Sequence, residues 1–210
     1  ADIVLGYWQD DGDGIVEDGE IYDSDSGGTA YSASNWTPIG SSSTITFQGI
    51  FDGDGHTVSG IYIKREGTGD EAKNLGLFGC VKDGTVKNVG VKDSYIKGYS
   101  PLGGVVGSNQ NGTVQNCYNT GSINGTGGGG VVGSNANGTV EDCYNTGSVV
   151  CTIFSGNAGG IIGYNSGGTV KNCHNAGSVN GNYKTGGVVG SNMNNGTINN
   201  CSNSGSVSGS

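Results

Sequence analysis

The sequence predicts an all-β chain, a right-handed parallel β-helix (β-solenoid) of about seven coils of 26–30 residues with an irregular N-terminal insertion. Three observations predict it. First, one short sentence keeps returning: GGVVGSNQNGTVQNCYNTGS at 103–122 is followed by GGVVGSNANGTVEDCYNTGS, GGIIGYNSGGTVKNCHNAGS and GGVVGSNMNNGTINNCSNSGS. Repetition at a fixed period marks an array in which each unit stacks only on its neighbours. Second, the apolar residues come as brief β-branched runs separated by Gly, Asn and Ser, which form turns. Third, no stretch carries a 3.6-residue apolar period long enough for a helix.

Composition narrows the architecture. Of 210 residues, 45 are Gly and only 2 are Pro, which excludes collagen, and the patterning excludes a flexible linker. With 32% apolar residues, a wide globular core is not expected, whereas a narrow core fed by a few side chains per coil is. A net charge of -9 argues against nucleic acid and against an anionic membrane surface. No apolar run approaches the ~20 residues that span a bilayer, so no membrane insertion is expected. The chain opens without an initiator Met or a signal peptide, as a processed product or an excised segment would.

A single domain, 1–210, divides in order into a first strand at 1–6, an acidic insertion at 7–35, N-terminal coils at 36–74 and repeats at 75–210. ADIVLG reads as a strand already under way. In the repeats, Thr85, Thr113, Thr139, Thr169 and Thr197 form one column at intervals of 28, 26, 30 and 28 residues, and Thr57 extends it one step upstream. Three strand cores per coil are expected. They are centred on pairs such as Val105-Val106, on single residues such as Val114, and on residues such as Ile123. Equivalent residues then sit about 4.8 Å apart in successive coils, and the crossover rule gives the right hand. Asn88, Asn116, Asp142, Asn172 and Asn200 should form an amide ladder. The Thr column could use its hydroxyls in the same way.

The elements FQGIFDGDGHTVSGIYI, NLGLFGCVKDGTVKNVGV and the GGVVGSN…GTV copies, with WTPIG at 36–40 before them, resemble the GLUG-repeat family over about residues 36–210. The resemblance implies a parallel β-solenoid of bacterial or archaeal cell-surface and secreted proteins. These include adhesin-like chains and the non-catalytic part of some immunoglobulin-cleaving proteases. Only the first copy keeps GLFG, the later ones reading GVVG or GIIG, and residues 7–35 have no family counterpart.

Candidate sites are few. QDDGDGIVEDGE at 9–20 reads as a twelve-position calcium loop, with Asp11 and Asp13 at positions three and five, Gly14 at six and Glu20 at twelve. Gln9 stands where Asp is expected at position one. Asp10 or Asp18 could compensate, and Glu17 adds a carboxylate. The simpler reading is a solvated acidic surface. Cys117, Cys143, Cys173 and Cys201 share a column with Val89 and Ile61, which makes a buried free-thiol ladder the default. Disulfides between coils are the other reading, favoured by secretion but awkward in dihedral for parallel neighbours. Cys80 falls in a column of Ser and Tyr, and Cys151 in the longest coil. His56 belongs to a GHT element with a structural hydrogen bond as its expected role.

Tyr118, Tyr144 and His174 should project along one face, where aromatic rings and amides suit glycans; the plain alternative is that they cover a β face. No HExxH, GxSxG or Cys-His arrangement can be read, so the chain is not expected to be an enzyme, and a carbohydrate-active enzyme ranks third. Asn-Gly-Thr triplets at Asn111, Asn124, Asn137 and Asn195 fit the glycosylation sequon, although turn chemistry explains them. Neither end reads as a polar cap. The expectation is therefore a secreted or cell-surface rod. Its partners would be copies of itself stacked head to tail, or flanking segments of a longer chain. An adhesin module is the rival reading.

Overall fold

A computed structural model describes residues 1–9, 12–18, 20–23, 35–151 and 156–209. The chain winds into a parallel β-solenoid. One coil shows the plan: short strands at Leu102–Gly103, Val106–Gln110, Thr113–Gln115, Tyr118–Asn119 and Ser122–Gly125. Each pairs in parallel with its counterpart one coil on, so that Val106 meets Val132, Val114 meets Val140 and Ile123 meets Val149. The coil thus has five strands where three were expected. The extra corners are made by Asn and Asp in the left-handed region, Asn111 at φ 53° and Asn116 at φ 50°, repeated one coil later at Asn137 and Asp142. Asn and Asp tolerate this conformation better than other side chains, so each corner costs little.

The five stacked sheets hold seven, six, six, five and four strands, so seven rungs occur only on the face that carries Tyr118. The strand Ile3–Val4 opens that face, paired with Val58 and Ser59. Two register expectations fail in the N-terminal coils. Thr57 pairs with Gly90, and it is Ile50 that lies opposite Thr85. Likewise Tyr62 pairs with Tyr95, which puts Ile61 beside Ser94 and outside the Cys column. The cause is a turn at Asp54 (φ 51°) and Gly55 (φ 77°), which moves GHTVSG onto the next face.

The core is a narrow file. Val86, Val114, Val140 and Val170 stack fully buried, flanked by Ile63, Ile96 and Ile123. Burying each such side chain contributes roughly 1.5–3 kcal/mol. Toward the N-terminus the file widens. Phe78 packs against Phe47 and Phe51, with ring centroids 5.0 and 5.2 Å away. The Trp36 indole donates to the Leu77 carbonyl at 3.3 Å, anchoring the segment that leads into these coils.

The insertion contains a small antiparallel hairpin, Gly6–Trp8 against Ile21–Asp23. Beyond its arms Val16 is buried against Tyr95, with Tyr62 packed beside them. Among the described residues, no helix is long and apolar enough to cross a membrane.

Candidate functional site

The chemistry of this chain lies in columns of like side chains that run along the stack. The predicted Asn column forms on the surface. Asn88 donates to Asp52 at 2.8 Å, Asn116 to Asn88 at 2.8 Å, Asn172 to Asp142 at 3.0 Å and Asn200 to Asn172 at 2.8 Å. Every donor points toward the preceding coil. The ladder breaks between Asn116 and Asp142, because a carboxylate has no N–H to give. Its first acceptor, Asp52, is held down to a pKa of about 2, chiefly by the Asn88 amide, then by the Asp54 N–H and by Lys87. In the Thr column the predicted hydroxyl contact occurs at Thr197 and Thr169, 3.2 Å apart.

Two further amide ladders, unforeseen from the sequence, run inside the coil. Asn109, Asn135 and Asn165 form one and Asn119, Asn145 and Asn175 the other, all fully buried. Each amide donates to the next coil: Asn119 to Asn145 at 3.0 Å, Asn145 to Asn175 at 2.9 Å, and Asn109 to Asn135 at 2.8 Å. These ladders continue to Asn192 and Asn203. Each Asn also clamps its own turn. Asn145 donates to the Gly147 carbonyl at 2.9 Å and accepts from the Gly147 N–H at 3.2 Å. The side chain lies across Gly130, where a Cβ would meet Asn145 Cγ at 2.3 Å. Asn109 Oδ1 is buried with no hydrogen-bond partner. The coil before it offers Val81 at that register position, which has no donor. The signal in the sequence was the Asn that closes each GSN or GYN and the Asn two residues after each column Cys, masked there by the turn-forming habit of Asn.

Cys117, Cys143 and Cys173 are buried and Cys201 is half-buried, all as free thiols in register. Val89 shares their column as expected. Burial raises the Cys143 thiol well above its ordinary pKa. Cys80 joins Ser108, Ser134, Tyr164 and Ser191, the column anticipated for it. Its thiol is pushed up to about 11 by burial, and that of Cys151 to about 12. Neither is a reactive thiolate at neutral pH.

Tyr118, Tyr144 and His174 do lie in one column. The two phenol rings stack at 4.6 Å and 7°, face against face. Tyr118 also covers Gly90, where a Cβ would fall 2.1 Å from its ring. Ring edges therefore meet solvent. Beside them lies a small cavity of about 190 Å³ lined by Gly55, Asn88, Gly90, Asn116 and both tyrosines. His174 meets the Ser202 hydroxyl at 2.8 Å through Nδ1 and the Ser204 hydroxyl at 3.2 Å through Nε2. His56 faces Asp2 at 3.4 Å, and Asp2 accepts the Thr57 N–H at 2.8 Å, the structural role expected of the GHT element.

In the acidic loop, Asp10 and Asp11 lie outside the described residues. Asp13 Oδ1 accepts the Ile15 N–H at 2.7 Å, and Glu20 Oε2 accepts the Glu17 N–H at 2.8 Å. Asp18 takes the Tyr62 hydroxyl at 2.8 Å and the Lys64 ammonium at 2.6 Å. Among the described residues, no three His, Cys, Asp or Glu side chains gather where they could hold a metal. Asp18 thus clasps the insertion to the coil face. Glu17 instead lines a cavity of about 320 Å³ between the insertion and that face, with Lys97, Ser122 and Asn124.

The repeats match the model of the GLUG motif four times, at 98–124, 124–150, 154–180 and 181–208, which together span more than half of the chain. The chain belongs to the GLUG-motif family. Each matched GLUG copy carries one Cys of the thiol column and one Asn of each buried ladder. Halomucin of Haloquadratum walsbyi is 34% identical over 89 residues, which are 42% of this chain but 1% of halomucin. The crystal structure of a "putative immunoglobulin A1 protease" from Bacteroides ovatus superposes with a TM-score of 0.64 at 24% identity. That likeness covers 84% of this chain and 66% of the other, and it shows the shared fold.

Proposed function

We propose that this GLUG-repeat chain is a rigid extracellular β-solenoid rod with no catalytic role of its own, secreted or displayed at the cell surface. It would stack end to end into a fibre or form part of a surface stalk. The observation that carries the reading is the unbroken in-register stack from coil to coil, tied by two buried amide ladders along the rod axis. Such a rod resists bending because, through the repeats, successive coils are bonded on all five faces. The similarity to part of halomucin supports a surface setting. His174, on the same face, is engaged by the Ser202 and Ser204 hydroxyls of the following coil.

Negative-stain electron microscopy of the purified chain, with and without a calcium chelator, tests this. Uniform filaments or straight rods one solenoid wide are expected, with immunoglobulin A1 left uncut on incubation. Loss of filaments on chelation would give the acidic loop an ion-dependent role. Flexible or collapsed particles would refute the rod.

A second reading, an adhesin module for glycans, is favoured by the cavity between the tyrosines and Asn88 and Asn116. Sugar binding that disappears in Tyr144→Ala would establish it.

A further inference from the structure

We propose that neighbouring thiols of the Cys column form linear, two-coordinate sites for a soft monovalent cation, Cu⁺ or Ag⁺. One ion would sit between Cys117 and Cys143 and a second between Cys173 and Cys201. The four side chains make the same local contact. Each Sγ approaches the carbonyl two residues before it, at 3.2 Å in Cys117, 3.1 Å in Cys143 and 3.2 Å in both Cys173 and Cys201. Like contacts in register imply sulfur positions repeated at the coil rise of about 4.8 Å.

That spacing suits an ion better than a disulfide. A disulfide needs sulfurs about 2.05 Å apart and Cβ atoms about 3.5–4.5 Å apart, which the parallel register does not supply. An ion midway would lie about 2.4 Å from each sulfur, on the scale of the ~2.3 Å zinc–thiolate bond. With sulfur as the side-chain donor, such a pair selects soft ions such as Cu⁺; binding between Cys173 and Cys201 would compete with the Cys173 N–H, which reaches Cys201 Sγ at 3.4 Å. Tetrahedral zinc needs ligands that are not gathered among the described residues. Packing does not require sulfur here, since Val89 fills the same column one coil earlier.

Charge sets the stoichiometry. One cation entering a thiol pair displaces one proton, leaving a thiolate, the ion and a thiol that together are neutral. This avoids the cost of burying net charge. A third ion between Cys143 and Cys173 would lie within about 5 Å of both others, where repulsion in a dry core is strong.

The test is native mass spectrometry of the reduced chain with Ag⁺, added both to the folded protein and during refolding, then challenged with excess small-molecule thiol. Retention of two ions per chain is expected by at least one route, with one proton released per ion and a sulfur-to-metal ultraviolet band. Cys143→Val should retain one ion, while the double variant Cys80→Val/Cys151→Val should retain two. No retained ion by either route would overturn the proposal, as would equal loss in the double variant. So would the same pattern in urea-unfolded chain, or a purified chain already lighter by two hydrogens per Cys pair.

Discussion

Replacing Asn145 by Ala probes what the buried ladders contribute. The substitution removes an acceptor from the Asn119 amide at 3.0 Å and from the Gly147 N–H at 3.2 Å. It also removes the donor to the Gly147 carbonyl. Asn175 Oδ1 keeps its bond from the Gly177 N–H, so its loss is partial. A buried donor left without an acceptor costs about 1–3 kcal/mol, so the two donors together predict a loss of about 2–6 kcal/mol. The control is Asn172→Gly in the surface ladder, where water replaces both bonds and Gly keeps the φ of 53°; its cost should stay below about 1 kcal/mol. Urea unfolding followed by circular dichroism gives the midpoints. Amide exchange in residues 128–151 checks whether the affected coils open separately, as solenoids can. Equal midpoints for the two variants would refute the claim that burial makes the inner ladders the stronger ties.

Other outcomes follow from the same geometry. Asp52 should titrate by carboxyl ¹³C NMR at about 2. Because its folded pKa is depressed, its stabilisation is complete above the unfolded value near ~4 and is lost as pH falls through about 2. Asn88→Gly should move that midpoint upward, and an unchanged midpoint would dismiss the amide as its cause. Gly90→Ala should displace the Tyr118 ring and weaken the Tyr118–Tyr144 near-ultraviolet dichroism, since the new methyl carbon would lie 2.1 Å from the ring; an unaltered signal would contradict the stacked arrangement. Asp18→Ala should speed amide exchange in residues 12–18 while leaving the repeats unchanged, as it cuts the bonds to Tyr62 and Lys64. Val81→Asn should be tolerated within about 1 kcal/mol, because it supplies the donor that Asn109 Oδ1 lacks. Val114→Asn, with no ladder to join, should cost several times more by the same urea assay.

How far the fold could be read in advance depended on how each side chain advertises its place. From Thr85 onward the register was legible, because a β-branched residue beside a fixed Gly and Asn repeats at nearly constant spacing, and Thr113, Thr139 and Thr169 pair as aligned. The same logic misplaced Thr57, whose local sequence imitates the repeat although the Asp54–Gly55 turn has moved it to another face. Apolar runs marked the buried files but not the corners, so five strands were read as three. For the site residues, the Tyr–His column and the thiol column followed from register alone. The insertion did not, since Asp18 finds its partners on Tyr62 and Lys64, more than forty residues away, where no local pattern points.

The inner ladders were hidden for a different reason: Asn does two opposite jobs here with one local signature. At Asn116 and Asn172 it supplies a left-handed corner and bonds outside the coil, where Asp142 can replace it. That replacement costs one rung, because the carboxylate accepts from Asn172 but gives nothing to Asn116, and water makes up the difference. At Asn145 no such exchange is open. The buried amide must accept from one coil and donate to the next, and a carboxylate there would add a charge in a dry core as well as losing the donor. The surface ladder donates toward the preceding coil and the buried ladders toward the following one. Successive coils are therefore joined by amide bonds of opposite sense, and a slip of one residue would break both sets at once. Register in this rod is held by polar side chains, with the narrow Val file supplying the burial that makes their geometry expensive to abandon.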